Sequence, residues 1–120
     1  MNIISQDVID QLVLDTSLEL LPTLLTSFVE ELDTRRDALE AAIIQFNKGD
    51  WTGIIETAHA LKSSSGTFGA TLLYQSAKQL EDAAREKDNS NIDALIAAAK
   101  SAADQTYQAY CDYLAKLKSA

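Results

Sequence analysis

The chain has 120 residues, 47% of them hydrophobic and 23% charged, so it can bury one core and is too short for two domains. It contains only four glycines and one proline, which favours long helices over an all-β fold with many turns. With 18 acidic against 10 basic side chains, its net charge of −8 excludes the positive surface that binds nucleic acids or anionic membranes.

The first half of the chain predicts a short helix followed by a long one. The short helix covers roughly residues 5–13 and begins at Ser5, a favourable N-cap residue. The long helix covers roughly residues 18–46, where apolar residues recur at spacings of three, four or seven. Pro22 falls in its opening turn, where a missing N–H matters least. The apolar stripe of this helix consists of Leu21, Leu25, Phe28, Leu32, Leu39, Ile43 and Phe46.

Three further helices are predicted in the second half, over roughly residues 51–66, 70–87 and 92–118. Gly49 suits the left-handed position that ends a helix, and Asp50 can cap the next one. Short connections between long amphipathic helices imply antiparallel neighbours. We therefore expect an all-α, up-down-up-down four-helix bundle with a short N-terminal capping helix. The inner faces of the last three helices comprise Ile54, Ala58, Leu61 and Ser65; Leu73, Ala77, Leu80 and Ala84; and Ile92, Ile96, Ala99, Ala103, Tyr110, Leu114 and Leu117.

The N-terminal sequence and the cysteine content indicate a cytoplasmic protein. The start, Met-Asn-Ile-Ile-Ser-Gln-Asp, lacks the basic and apolar regions of a secretory signal peptide, and no apolar run approaches the length of a bilayer span. Cys111 is the only cysteine and cannot form an internal disulfide. We expect one domain over residues 1–120, without membrane insertion.

The only histidine, His59, is predicted to lie on the outside of the third helix. At about 100° per residue, its side chain points roughly 120° away from the centre of the inner face. Its neighbours one and two turns away are Ile55, Lys62, Ser63 and Gly66. A neutral imidazole is a nucleophile near neutral pH, because its ordinary pKa is about 6.5. This residue can therefore attack a phosphoryl group carried by another protein.

The neighbours of His59 suit the product of that attack. A phosphohistidine carries negative charge and several acceptor oxygens, which Lys62 can approach as a point charge and Ser63 as a hydroxyl donor. No Gly-rich loop of the P-loop or kinase type is present, so the domain can hold a phosphoryl group but cannot take one from ATP unaided.

Residues 58–70 read Ala-His-Ala-Leu-Lys-Ser-Ser-Ser-Gly-Thr-Phe-Gly-Ala. This segment resembles the signature of histidine-containing phosphotransfer (HPt) domains, roughly H-x-L-K-G-S-S-x-x-x-G-[AL]. The stretches over 21–39 and 72–85 are also similar to the neighbouring helices of that family, so the resemblance spans most of the chain. One position differs, because Ser63 stands where a glycine is common and narrows the surface beside His59.

The resemblance implies a stand-alone bacterial phosphocarrier, and not an enzyme, similar to the phosphotransfer protein of quorum-sensing relays. His59 would accept a phosphoryl group from the aspartyl phosphate of a receiver domain and pass it to another receiver. The donor and acceptor would belong to a hybrid sensor histidine kinase and a response regulator. Lys62 would steady the phosphoryl group, with Ser63 and Ser64 as supporting polar residues. Any Mg²⁺ would belong to the receiver, and no cofactor is expected on this chain.

Receiver docking is expected to be transient and mostly apolar at its centre. Ile55, Gly66 and Leu24 are our candidate docking residues. The acidic bundle has no long exposed apolar stripe, which favours a monomer.

Two other functions remain open. A helical interaction module could bind and inhibit a receiver or sensor kinase without accepting phosphate, and its binding would survive replacement of His59. Glu56 and His59 also form a Glu-x-x-His motif of the type found in di-iron bundles. Such a site needs a second motif and two more inward glutamates, which a chain with one histidine cannot supply, so no metal ligand is expected.

Overall fold

A computed structural model describes residues 2–119 and contains five α-helices and no strand over that range. Helix α2 packs against α3 and α5, and α4 packs against the same two helices. The four therefore form the predicted up-down-up-down bundle, about 48 Å long and 21 Å across. Among these residues, no helix is both long and apolar enough to cross a bilayer. The helices are α1 (Gln6–Asp15), α2 (Leu21–Asn47), α3 (Thr52–Phe68), α4 (Thr71–Arg85) and α5 (Ile92–Ser119).

The interior is built from the faces that the apolar spacing predicts. All inner residues predicted for α3 and α4 are buried, and on α5 only Leu117 is partly exposed. Along α2, Ala42 is buried in place of Ile43 and Phe46, which pack at the edge of the core. Residues seven apart do not lie exactly above one another on a straight α-helix, because two turns contain about 7.2 residues. Over the 27 residues of α2, the set of residues that faces the core therefore shifts by one position near the end of the helix.

The start of α2 differs from the prediction. This helix begins at Leu21 and not near residue 18. The Ser17 hydroxyl accepts the N–H of Leu20 at 3.2 Å, which holds the preceding residues in a separate turn. Pro22 then occupies the first turn of the helix, as expected.

Helix α3 also has ends that differ from the prediction. It begins at Thr52, whose N–H donates to the Asp50 carboxylate at 3.0 Å. Asp50 therefore caps the helix from the residue before Trp51, which occupies the N-cap position itself. The helix runs two residues longer than predicted because the left-handed residue that stops it is Gly69, with φ of 79°. Helix α4 ends two residues early, ahead of Lys87, which has φ of 52°.

The short helix α1 closes the end of the bundle at which α3 ends. The N–H of Ser5 donates to the carbonyl of Gly69 at 2.7 Å, and the N–H of Thr71 donates to the carbonyl of Ile3 at 3.1 Å. A Cβ atom at position 69 would lie 3.0 Å from both the Ser5 carbonyl and Val8, so this close approach also requires glycine. The α3–α4 turn is thereby held against the N-terminal segment.

Candidate functional site

His59 lies in the middle of α3, and its side chain is 58% exposed. The buried neighbours Ala58 and Leu61 anchor that part of the helix in the bundle, so the backbone behind the imidazole is fixed. Its Nδ1 lies 2.9 Å from Oε2 of Glu81 on α4. Within residues 2–119, Nε2 makes no hydrogen bond. One ring nitrogen is thus held by the protein, and the other is free.

Glu81 is the centre of a small charged cluster behind the imidazole. Its side chain is only 3% exposed. Lys62 Nζ lies 2.8 Å from Oε1, while Arg85 contacts Oε2 through Nε at 2.8 Å and Nη2 at 2.6 Å. Burial acts to raise the pKa of Glu81, but hydrogen bonds from Lys62, Arg85 and His59 outweigh it and lower the pKa to about 2. The carboxylate is therefore ionised at neutral pH.

An ionised Glu81 decides which nitrogen of His59 carries the proton. A carboxylate only accepts hydrogen bonds, so the contact at Nδ1 requires an N–H there. In the neutral imidazole, Nε2 is then unprotonated and keeps its lone pair. The arrangement presents a nucleophilic nitrogen on an exposed helix face.

Lys62 and Ser63 lie close to His59, as their spacing predicts. Lys62 is one turn from His59 and shares the Glu81 carboxylate with it, and its side chain is 27% exposed. Ser63 is four residues, about one turn, after His59 on the same face of α3. It is exposed, and its side chain makes no hydrogen bond among the described residues. These two side chains can therefore reach a group bound at His59.

Ser64 lies on the side of α3 that faces α2, and Leu24 belongs to α2 itself. The Ser64 hydroxyl donates to Glu31 Oε2 on α2 at 2.8 Å, so the structure does not bring it to His59. Helical rise places Leu24 roughly 18 Å from His59 along the bundle axis. Leu24 is half-buried at the end of the bundle that α1 covers.

Ile55 and Gly66 flank His59 along α3. Ile55 is half-buried, and it packs against the core cluster that includes Ile54 and Ala58. Gly66 is exposed two turns beyond His59, next to the ring of Tyr74 on α4. Both therefore lie on or beside the surface that surrounds the imidazole.

Two residues of this cluster, Glu81 and Arg85, are absent from the sequence-based site. The sequence does contain an indication that Glu81 is buried, because it follows Ala77 by four residues and precedes Ala84 by three. It therefore falls within the apolar stripe of α4, where a charge must be paired. The identity of its partners depends on how α3 and α4 pack, which the spacing along one helix does not reveal.

The chemistry available at this surface is that of a nucleophile with nearby cations. Glu81 is the only carboxylate within hydrogen-bond distance of His59 among residues 2–119. In the same range, no three His, Cys, Asp or Glu side chains lie close enough together to hold a metal ion. The surface can accept an electrophile at Nε2 and place positive charge beside it.

Comparison with known proteins identifies the family. Residues 23–118 match the Hpt domain family. The chain is similar to the crystal structure of histidine-containing phosphotransfer protein B (HptB) from Pseudomonas aeruginosa PAO1, with 26% identity, a TM-score of 0.81, and coverage of 95% of this chain and 96% of that chain. A search of curated proteins returned no significant match. Because the family match covers most of its length, this chain belongs to the Hpt domain family and has a role in phosphotransfer.

Proposed function

We propose that the protein is a phosphorelay carrier in which Nε2 of His59 attacks the phosphorus of a receiver domain's aspartyl phosphate. The observation that carries this proposal is the bond from Nδ1 to Glu81, which leaves Nε2 free on a side chain that is 58% exposed. As the N–P bond forms, the P–O bond to the aspartate breaks, and the aspartate leaves as a carboxylate. Passing the phosphoryl group to a second receiver is the reverse of this step.

The transfer needs no proton to move. Attack by Nε2 leaves the imidazole positively charged with its proton still on Nδ1, and this N–H keeps donating its hydrogen bond to Glu81. The ionised carboxylate compensates this new charge from 2.9 Å away. An ion so placed and so little exposed interacts more strongly than it would in water. Glu81 therefore favours both the attacking tautomer and the charged product.

The phosphoryl oxygens would be met by the cations that already surround Glu81. Lys62 uses one contact to Oε1, and an ammonium has three donors, so it can also donate to a phosphoryl oxygen. Arg85 binds Oε2 through Nε and Nη2, which leaves further N–H donors. Ser63 can add a hydroxyl donor. These groups offset the charge that the phosphoryl group brings to an acidic protein.

The partner supplies what this surface lacks. An acid-lined pocket with Mg²⁺ on the receiver would activate the aspartyl phosphate, so this chain would need positioning and charge compensation rather than a cofactor. We propose a hybrid sensor kinase's receiver as donor and a response regulator as acceptor. The carrier would act as a cytoplasmic monomer, and contact each receiver in turn.

Labelling by a phosphorylated receiver tests the proposal. A purified receiver carrying radiolabelled aspartyl phosphate should transfer label to this protein, and the label should be acid-labile and base-stable. His59→Gln should remove the label while the helical circular dichroism stays unchanged, because the side chain is exposed. Label that persists in His59→Gln would contradict the site assignment. Binding of the receiver without any labelling would favour the inhibitory interaction module instead.

A further inference from the structure

A small apolar pocket opens on the His59 side of the bundle, where α1, α3 and α4 meet. Its volume is about 190 Å³, and its wall is mainly carbon. For comparison, an apolar cavity of about 150 Å³ is large enough to hold benzene. The pocket can therefore accept one branched or aromatic side chain. It is lined by Val8, Ser65, Gly66, Gly69, Thr71 and Tyr74.

The pocket lies in line with the phosphotransfer site. Helices α3 and α4 are antiparallel, with His59 opposite Glu81 and Gly66 beside Tyr74. His59 and Gly66 are seven residues apart on one face of α3, which corresponds to about 10 Å along the helix. The same groove between α3 and α4 thus holds the imidazole in its middle and the pocket towards one end.

A receiver whose interface is centred on His59 would also cover this pocket. A standard protein–protein interface buries about 800 Å² on each partner, which is a patch of roughly 16 Å radius. A patch of that size centred on His59 extends past Gly66 along α3. The centre of an interface is also its most apolar part, and side chains seated in pockets carry most of the binding energy.

We propose that this pocket receives an apolar side chain of the receiver domain and so anchors the partner while its phosphorus meets His59. The inference rests on the proposed function and adds an anchor site to it. Position 66 controls the pocket because glycine leaves the groove open beside the ring of Tyr74. A Cβ at this position would lie 3.5 Å from that ring, which is ordinary contact.

Gly66→Leu tests the anchor without threatening the fold. Position 66 is exposed and helical, and leucine is better suited to a helix than glycine, so the variant should melt no lower than the unchanged protein. The leucine side chain would fill the mouth of the pocket. We expect kcat/KM for transfer from a phosphorylated receiver to fall at least tenfold, with Gly66→Ala intermediate.

Two comparisons separate docking from chemistry. Phosphoramidate, a small phosphodonor, should label His59 equally in the unchanged protein and in Gly66→Leu, because it needs no docking surface. Ala98→Leu places the same side chain at an exposed site on α5, which packs against α2 and α4 on the far side from α3, and should transfer normally.

The outcomes distinguish the two proposals. Unchanged receiver transfer in Gly66→Leu would overturn the anchor and leave the carrier function standing, as would an equal loss with phosphoramidate. Failure of the unchanged protein to accept label from any receiver would overturn the carrier function and the anchor with it.

Discussion

Oε2 of Glu81 lies 2.9 Å from Nδ1 of His59, although the Glu81 side chain is 3% exposed and the His59 side chain is 58% exposed. A buried charge therefore lies directly behind a residue that faces solvent. Burial removes Glu81 from competing water, and the two cations around it keep it ionised. The result is an exposed nucleophile whose tautomer is set from inside the bundle.

Replacing Glu81 should slow phosphotransfer. In Glu81→Gln, the amide no longer compensates charge on the phosphorylated imidazole. A hydrogen bond to a charged group contributes about 1.5–3 kcal/mol, so the transfer rate should fall roughly tenfold to a hundredfold. Single-turnover transfer from a labelled receiver measures this rate. Glu86→Gln, an exposed carboxylate at the end of α4, is the matched control and should transfer normally.

The same carboxylate should contribute to acid sensitivity. The pKa of Glu81 is lowered from 4.5 to about 2 in the folded state, so its stabilising contribution is complete above the unfolded pKa and is lost as pH falls through the folded one. The shift corresponds to roughly 3 kcal/mol at most. Urea unfolding between pH 6 and pH 2 should show a smaller loss of stability in Glu81→Gln than in the unchanged protein. Parallel pH profiles would contradict this assignment.

Removing the Lys62 ammonium should shorten the lifetime of the phosphohistidine. Lys62→Ala removes a cation one turn from His59, at a site where the side chain is 27% exposed. We expect label to be lost a few-fold faster, since partly screened charge interactions are worth about 1 kcal/mol. The decay of phosphoramidate-labelled protein measures this lifetime. Lys100→Ala removes an equivalent charge on α5 that pairs with Glu40, and should leave the decay unchanged.

Tyr110 should stabilise the bundle without affecting phosphotransfer. Its buried hydroxyl donates to the carbonyl of Phe68 at 2.8 Å, directly before the turn at Gly69. Tyr110→Phe removes that donor and leaves a carbonyl unsatisfied, so the free energy of unfolding should fall by about 1–2 kcal/mol. Thermal unfolding measures the loss. Tyr113→Phe is a comparison on the same helix. Its hydroxyl donates to Gln6 Oε1 at 3.2 Å on the exposed surface, so its loss should change stability little.

The amino-acid sequence by itself determined the helices, the inner faces of α3 and α4, and the outward position of His59. These features depend on local quantities: apolar spacing repeats with the helical period, and a residue on the opposite side of the helix from Ala58 and Leu61 must face away from the core. The errors lie at helix ends, where Ser17 and Gly69 decide the start of α2 and the end of α3 through single hydrogen bonds or one backbone angle.

Only the tertiary structure decided what lies behind the imidazole. Glu81 follows His59 by 22 residues, and it reaches Nδ1 because α4 returns antiparallel to α3 at one particular register. A shift of that register by one turn would separate the carboxylate from His59 and Lys62 on α3, and would leave it only Arg85 of its own helix. Helical periodicity records which side of each helix faces the core. It carries no information about which residues of two helices meet, because that depends on how their side chains interlock in the packed bundle.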